Sequence, residues 1–109
     1  MDERAPKFGD IAKKRWEYLN NDDSTKGNNC YDELLSIAIE LRNEGKLHEL
    51  GGLLDNENEG VQFEAATKLL TLNFEKAEKT LEKLTEKKGV LPFSAKMTLR
   101  QWRAGNLKF

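Results

Sequence analysis

Val61-Gln62-Phe63-Glu64-Ala65-Ala66-Thr67-Lys68-Leu69-Leu70 is the stretch that decides the fold. Val61, Ala65, Ala66, Leu69 and Leu70 recur three and four residues apart, the period of an amphipathic helix, with Phe63 beside them. Shifting the sequence by 30 residues lays Leu54 on Leu84, Val61 on Leu91, Phe63 on Phe93, Ala65 on Ala95 and Leu69 on Leu99. Each copy is a helix, a turn and a second helix. Neither helix hides its apolar stripe alone, so neighbouring pairs must stack to build a core.

The same periodicity extends outward. Upstream of the turn Asp55 to Gly60, a short helix places Leu47, Leu50, Leu53 and Leu54 inward, with Gly51 and Gly52 interrupting its regularity. Before it, a helix carrying Cys30, Leu34, Ile37, Ala38 and Leu41 ends at Gly45, a natural left-handed cap. The polar segment Asn20 to Asn29 reads as a loop. The first helix has the stripe Phe8, Ala12, Trp16 and Leu19, with Pro6 at its opening. Downstream, Asn73 is the expected N-cap of a fifth helix with the seam Phe74, Ala77, Leu81 and Leu84. After Gly89 and Pro92 a last helix offers Phe93, Met97, Leu99 and Trp102 and stops near Gly105. No segment has the two-residue period of a strand.

The expected fold is therefore all-α, five or six helices stacked as antiparallel hairpins in a short α-solenoid. At 109 residues this is a single domain, with 1–45 as a divergent capping pair and 47–107 as two repeat-like hairpins. Composition agrees: the chain is 34% charged and 38% hydrophobic, and its net charge is −1. Low net charge and recurrent apolar residues argue against disorder. A near-neutral total argues against a generic polyanion binder, whose affinity comes from a surplus of bases. A single cysteine excludes a disulfide scaffold. With no long apolar run and no signal-peptide pattern at the charged start, a cytoplasmic, membrane-free protein is the simplest expectation.

Residues 47–70, with Leu-Leu-Asp at 53–55 and the stretch at 61–70, resemble a HEAT-type repeat, in which an acidic turn separates paired helices and a small Ala pair allows close contact. Gln62 stands where that family usually has a basic residue. Phe-Ser-Ala-Lys-Met-Thr-Leu-Arg-Gln-Trp-Arg-Ala-Gly at 93–105 resembles the closing motif of a small bacterial helical family of unknown function, some members of which sit beside toxin genes. The resemblance covers roughly residues 47–107. It implies a protein-binding module, and an immunity protein that neutralises a toxin is its most concrete form. HEAT-like proteins also include DNA glycosylases with a basic groove. That reading would use Lys96, Arg100 and Arg103, with Arg42 and Lys68 on the other second helices, diluted by acids such as Asp32, Glu33 and Glu64.

Catalytic chemistry finds little to work with. His48 is the only histidine, and a zinc site needs three or four converging ligands. Cys30 falls on an apolar helix face, where a thiol acts as a small hydrophobe. Gly51-Gly52 lacks the Lys-Ser/Thr of a phosphate loop. Trp16 and Trp102 lie at helical spacing with other apolar residues and read first as core. The chain is expected to be no enzyme and to need no cofactor or metal.

Charge is the more informative signal. From Glu17 to Glu64 twelve acids face three bases, a sum of −9, whereas Ala65 to Phe109 carries +6 and the front sixteen residues +2. One explanation is attraction between neighbouring helices of opposite sign. The other is an acidic surface that docks on a basic partner, such as the cleft of a nuclease toxin. Its expected contact residues are Asp22, Asp23, Asp32, Glu33, Glu57, Glu59 and Glu64. Nucleic acid is the lesser expectation.

Overall fold

The structure is a computed structural model that describes residues 2–109. Its elements are α1 (Arg4–Asn20), α2 (Ser24–Asn43), a 3-10 helix (Leu47–Asp55), α3 (Glu59–Leu69), a 3-10 turn (Leu70–Leu72), α4 (Glu75–Leu84) and α5 (Val90–Arg103). No strand occurs among the described residues. The helices pair as three hairpins: α1 with α2, the 3-10 helix with α3, and α4 with α5. α3 lies at the centre and packs on α1, the 3-10 helix, α4 and α5. The all-α architecture is as expected.

The central stretch behaves as its composition requires. Val61, Phe63, Ala65, Ala66, Leu69 and Leu70 are all buried, and so are Glu64 and Lys68 between them. α3 starts cleanly because Asn58 Oδ1 accepts from the Val61 N–H at 3.1 Å, satisfying an otherwise orphaned donor. The 3-10 helix buries Leu47, Leu50 and Leu54. Leu47, Leu50 and Leu53 fall every third residue, which suits three residues per turn.

α1 meets α3 closely at Gly60. A Cβ built there would lie 2.6 Å from Trp16 Cδ1 and 2.8 Å from Cγ. The indole is held in place, because it packs edge-to-face with Phe63, ring centres 5.6 Å apart at 87°, and its Nε1 donates to Glu64. Gly60→Ala is therefore expected to cost about 1–3 kcal/mol by overpacking, read as a lowered thermal midpoint.

Several local expectations change. α2 begins at Ser24, so the connection is only Asn21 to Asp23; Asp23 caps the helix, its carboxylate accepting from the Lys26 N–H at 3.1 Å. Asn73 does not cap α4. It adopts a left-handed φ of 56° and ends the 3-10 turn, accepting the helix reversal that Asn tolerates better than most residues. Gly45 does terminate α2 in a Schellman motif, with Lys46 N bonded to Leu41 O and Gly45 N to Arg42 O. Phe93 is 62% exposed although its repeat counterpart Phe63 is buried. α5 lies at one end of the stack, and among the described residues no further hairpin covers that face. Trp16 is core as expected, whereas Trp102 is half-buried against it.

Candidate partner-binding surface

The first half of α1, the end of the 3-10 helix and the turn into α3 enclose a cleft of about 650 Å³. Its apolar lining comes from Ala5, Pro6, Leu53 and Val61. Asp10, Glu49 and Glu57 supply three carboxylates, and Lys13 is the one base. Polar bonds set the turn: Asn58 N donates to Asn56 Oδ1 at 2.8 Å, and Gln62 Nε2 donates to the Asn56 carbonyl at 2.6 Å. Gln62, the departure from the HEAT pattern, thus braces the cleft wall. Glu49 Oε1 accepts from the Asp2 N–H at 3.2 Å, tying the start of the chain to the rim. Beside it, Arg4 bridges Asp2 and Glu44 and holds both carboxyls below the usual carboxylate range through its hydrogen bonds.

The structure distributes the seven acids singled out by charge. Asp22 and Asp23 lie in the α1–α2 turn, Asp32 and Glu33 are exposed on α2, and Glu57 stands in the cleft. Glu59 opens α3 and pairs with Lys87 at 3.0 Å. Glu64 is corrected outright: it is 1% exposed and belongs to the interior, so no partner can reach it. Asp10 and Glu49, which complete the cleft, were not among the expected contact residues, although Glu49 lies in the acidic segment. They come from different elements, and no local pattern joins them.

Ion pairs absorb part of the charge asymmetry. Asp55–Lys76 at 2.8 Å, Glu59–Lys87 and Arg15–Glu64 tie the acidic segment to its neighbours. The two exposed pairs contribute at most about 1 kcal/mol each. Asp22, Asp32, Glu33 and Glu57 make no ion pair among the described residues and keep their charge available.

Glu64 sits where α1 crosses α3. Its Oε2 accepts from Trp16 Nε1 at 2.8 Å and from Arg15 Nη1. Arg15 also stacks on Trp16, 5.2 Å from the ring centre. Lys68, expected in a basic groove, is instead 3% exposed. Burial pushes its ammonium below the ordinary lysine value and Arg15 adds to this, while Glu64 opposes it. The folded state therefore binds this proton less well than the unfolded chain. Stability from this group rises as pH climbs through the lowered value toward 10.5. Lys68→Met is expected to be most favourable relative to the native chain near neutrality, with the difference shrinking toward that alkaline limit in urea titrations at stepped pH.

The remaining bases of the glycosylase-like reading divide: Arg42 lies beside Phe109, whereas Lys96, Arg100 and Arg103 line one recess with Phe93. Arg42 holds Phe109, and Arg103 pairs with Glu78 at 3.2 Å and Glu82 at 3.0 Å. Lys96 and Arg100 stay exposed beside Phe93 in a shallow recess of about 390 Å³. His48 is exposed in the first turn of the 3-10 helix. Cys30 is buried, and burial, aided by Glu33, pushes its thiol up, away from a reactive thiolate. Among the described residues no three His, Cys, Asp or Glu side chains converge as metal ligands, and no helix is long and apolar enough to cross a membrane.

Fold and surface together define an all-α protein of stacked helical hairpins with an acidic cleft. No protein-family model matches the chain, and no curated protein or solved structure does either.

Proposed function

We propose that the chain is a non-catalytic protein-binding module, most concretely a bacterial immunity protein that neutralises a cognate toxin, such as a nuclease, in the cytoplasm. The observation that supports it best is the cleft, with three carboxylates and one lysine over an apolar lining. An arginine or lysine of a partner would lay its aliphatic stem along Pro6 and Leu53 and its charge among Asp10, Glu49 and Glu57. The unpaired Asp22, Asp32 and Glu33 extend the negative field, which speeds encounter with a basic partner. The toxin itself is suggested by the resemblance of residues 93–105. Co-purification with the product of the neighbouring gene tests the reading, together with survival of cells expressing both. Absence of a complex and of protection would sink it.

One observation favours a second reading. Exposed Phe93 beside Lys96 and Arg100 combines an aromatic face with cations, the elements of a nucleic-acid platform. Titration with single-stranded and duplex DNA at two salt concentrations decides it. Binding that does not weaken with salt, or no binding at all, removes it.

A further inference from the structure

α5 turns an apolar and basic face outward. Phe93 is 62% exposed and Val90 71%. Phe63, which shares the register of Phe93, is covered instead by Trp16 of α1. Phe93, Lys96, Arg100 and Arg103 recur every three or four residues and so share one side of the helix. With Met97 they line the recess of about 390 Å³. Arg103 is held by Glu78 and Glu82, whereas Lys96 and Arg100 make no ion pair among the described residues.

The complementary combination lies elsewhere on the same chain. Over its apolar lining the cleft holds Asp10, Glu49 and Glu57, and none of these makes an ion pair among the described residues. α5 packs on α3 and α4 through buried Ala95 and Leu99. The cleft is walled by α1, the 3-10 helix and the turn into α3, and no α5 residue lines it. Phe93 therefore reaches a cleft only on another molecule.

We propose that the α5 face of one copy docks in the acidic cleft of a second copy, joining molecules head to tail. The Phe93 ring enters against Pro6 and Leu53, an aromatic anchor that buries about 150–250 Å². Lys96 and Arg100 then face Asp10, Glu49 and Glu57 around that apolar centre, so both free charge sets find opposite partners. The contact is heterologous: every pair keeps one free cleft and one free α5 face, and growth continues beyond a dimer. One anchor with a few rim charges makes a small, transient interface, so association sets in at about 0.1–1 mM. At the lower concentrations of a partner titration the chain is monomeric. This contact needs no toxin, but a basic partner that fills the cleft would cap the assembly.

Sedimentation velocity from about 10 µM to 1 mM tests this on the native chain and on Phe93→Ser and Glu57→Lys, both at exposed positions. The native chain is expected to rise past the mass of a dimer with concentration, and to fall back in about 0.5 M salt. Each variant alone should associate at least about tenfold more weakly. Mixed in equal amounts, the two restore a single contact, α5 of Glu57→Lys in the cleft of Phe93→Ser, and the mass should stop at a dimer. A native chain that stays monomeric throughout overturns the proposal. Undiminished self-association of Glu57→Lys overturns it too, since α5 would then pair with α5. A mixture that forms no dimer, while both variants keep their helical circular dichroism, does the same. Lys96→Glu replaces Phe93→Ser in the comparison should the serine variant lose its helices.

Discussion

Glu64→Ala is expected to destabilise the protein by about 3 kcal/mol, toward the range found when one partner of a buried ion pair is removed. The side chains of Glu64 and Arg15 are 2% and 18% exposed. Truncating the acid leaves a largely desolvated guanidinium and the Trp16 N–H without their acceptor. Each orphaned group adds to the loss. For a domain of this size such a change lowers the thermal midpoint by more than about 10 °C. Glu64→Gln keeps a carbonyl oxygen for Trp16 and loses only the charge, so its cost should be clearly smaller. Urea unfolding followed by tryptophan fluorescence measures both, and also reports whether the Trp16 environment has opened. Equal stability of Glu64→Ala and the native chain would show that the crossing of α1 over α3 does not depend on this network.

Glu57→Lys is expected to weaken the proposed complex by about 2–5 kcal/mol without unfolding the chain, as for loss of a charge at the centre of a contact. Glu57 is exposed and makes no ion pair among the described residues, so its replacement breaks nothing inside the molecule. In the cleft the substitution turns three carboxylates and one base into two of each. A basic partner side chain then meets no net attraction and a direct repulsion. Lys96→Glu on α5 should leave the same affinity nearly unchanged. The pair of variants separates a cleft-specific contact from a general effect of charge, and isothermal titration gives both values.

Apolar spacing made the helices and most of the core legible, because burial in a helix repeats every three to four residues whatever lies opposite. The start of α2 was less so. Ser24 to Asn29 contains no apolar side chain, and its inward position is taken by Gly27, which lies against Leu19. Phe93 shows the limit of the repeat: its register is that of Phe63, yet exposure depends on whether another hairpin follows. Glu64 misled for a different reason. It lies three residues after Val61 and four before Lys68, on a helix buried almost all round, and only its contact with Arg15 and Trp16 of α1 makes a carboxylate tolerable there. Net charge by segment counted both Glu49 and Glu57 but singled out only Glu57, and Asp10 fell in the +2 front segment. The cleft brings together three separate elements, and a sum along the chain cannot see which charges meet in space.

Hydrogen exchange of the chain, with and without the protein encoded beside it, tests the acidic cleft most directly as the binding surface. Slowed exchange should concentrate in 9–13 of α1 and in 49–58, which line the cleft, with α5 unchanged. Protection confined to α5, or no protection when a complex has formed, would contradict the account.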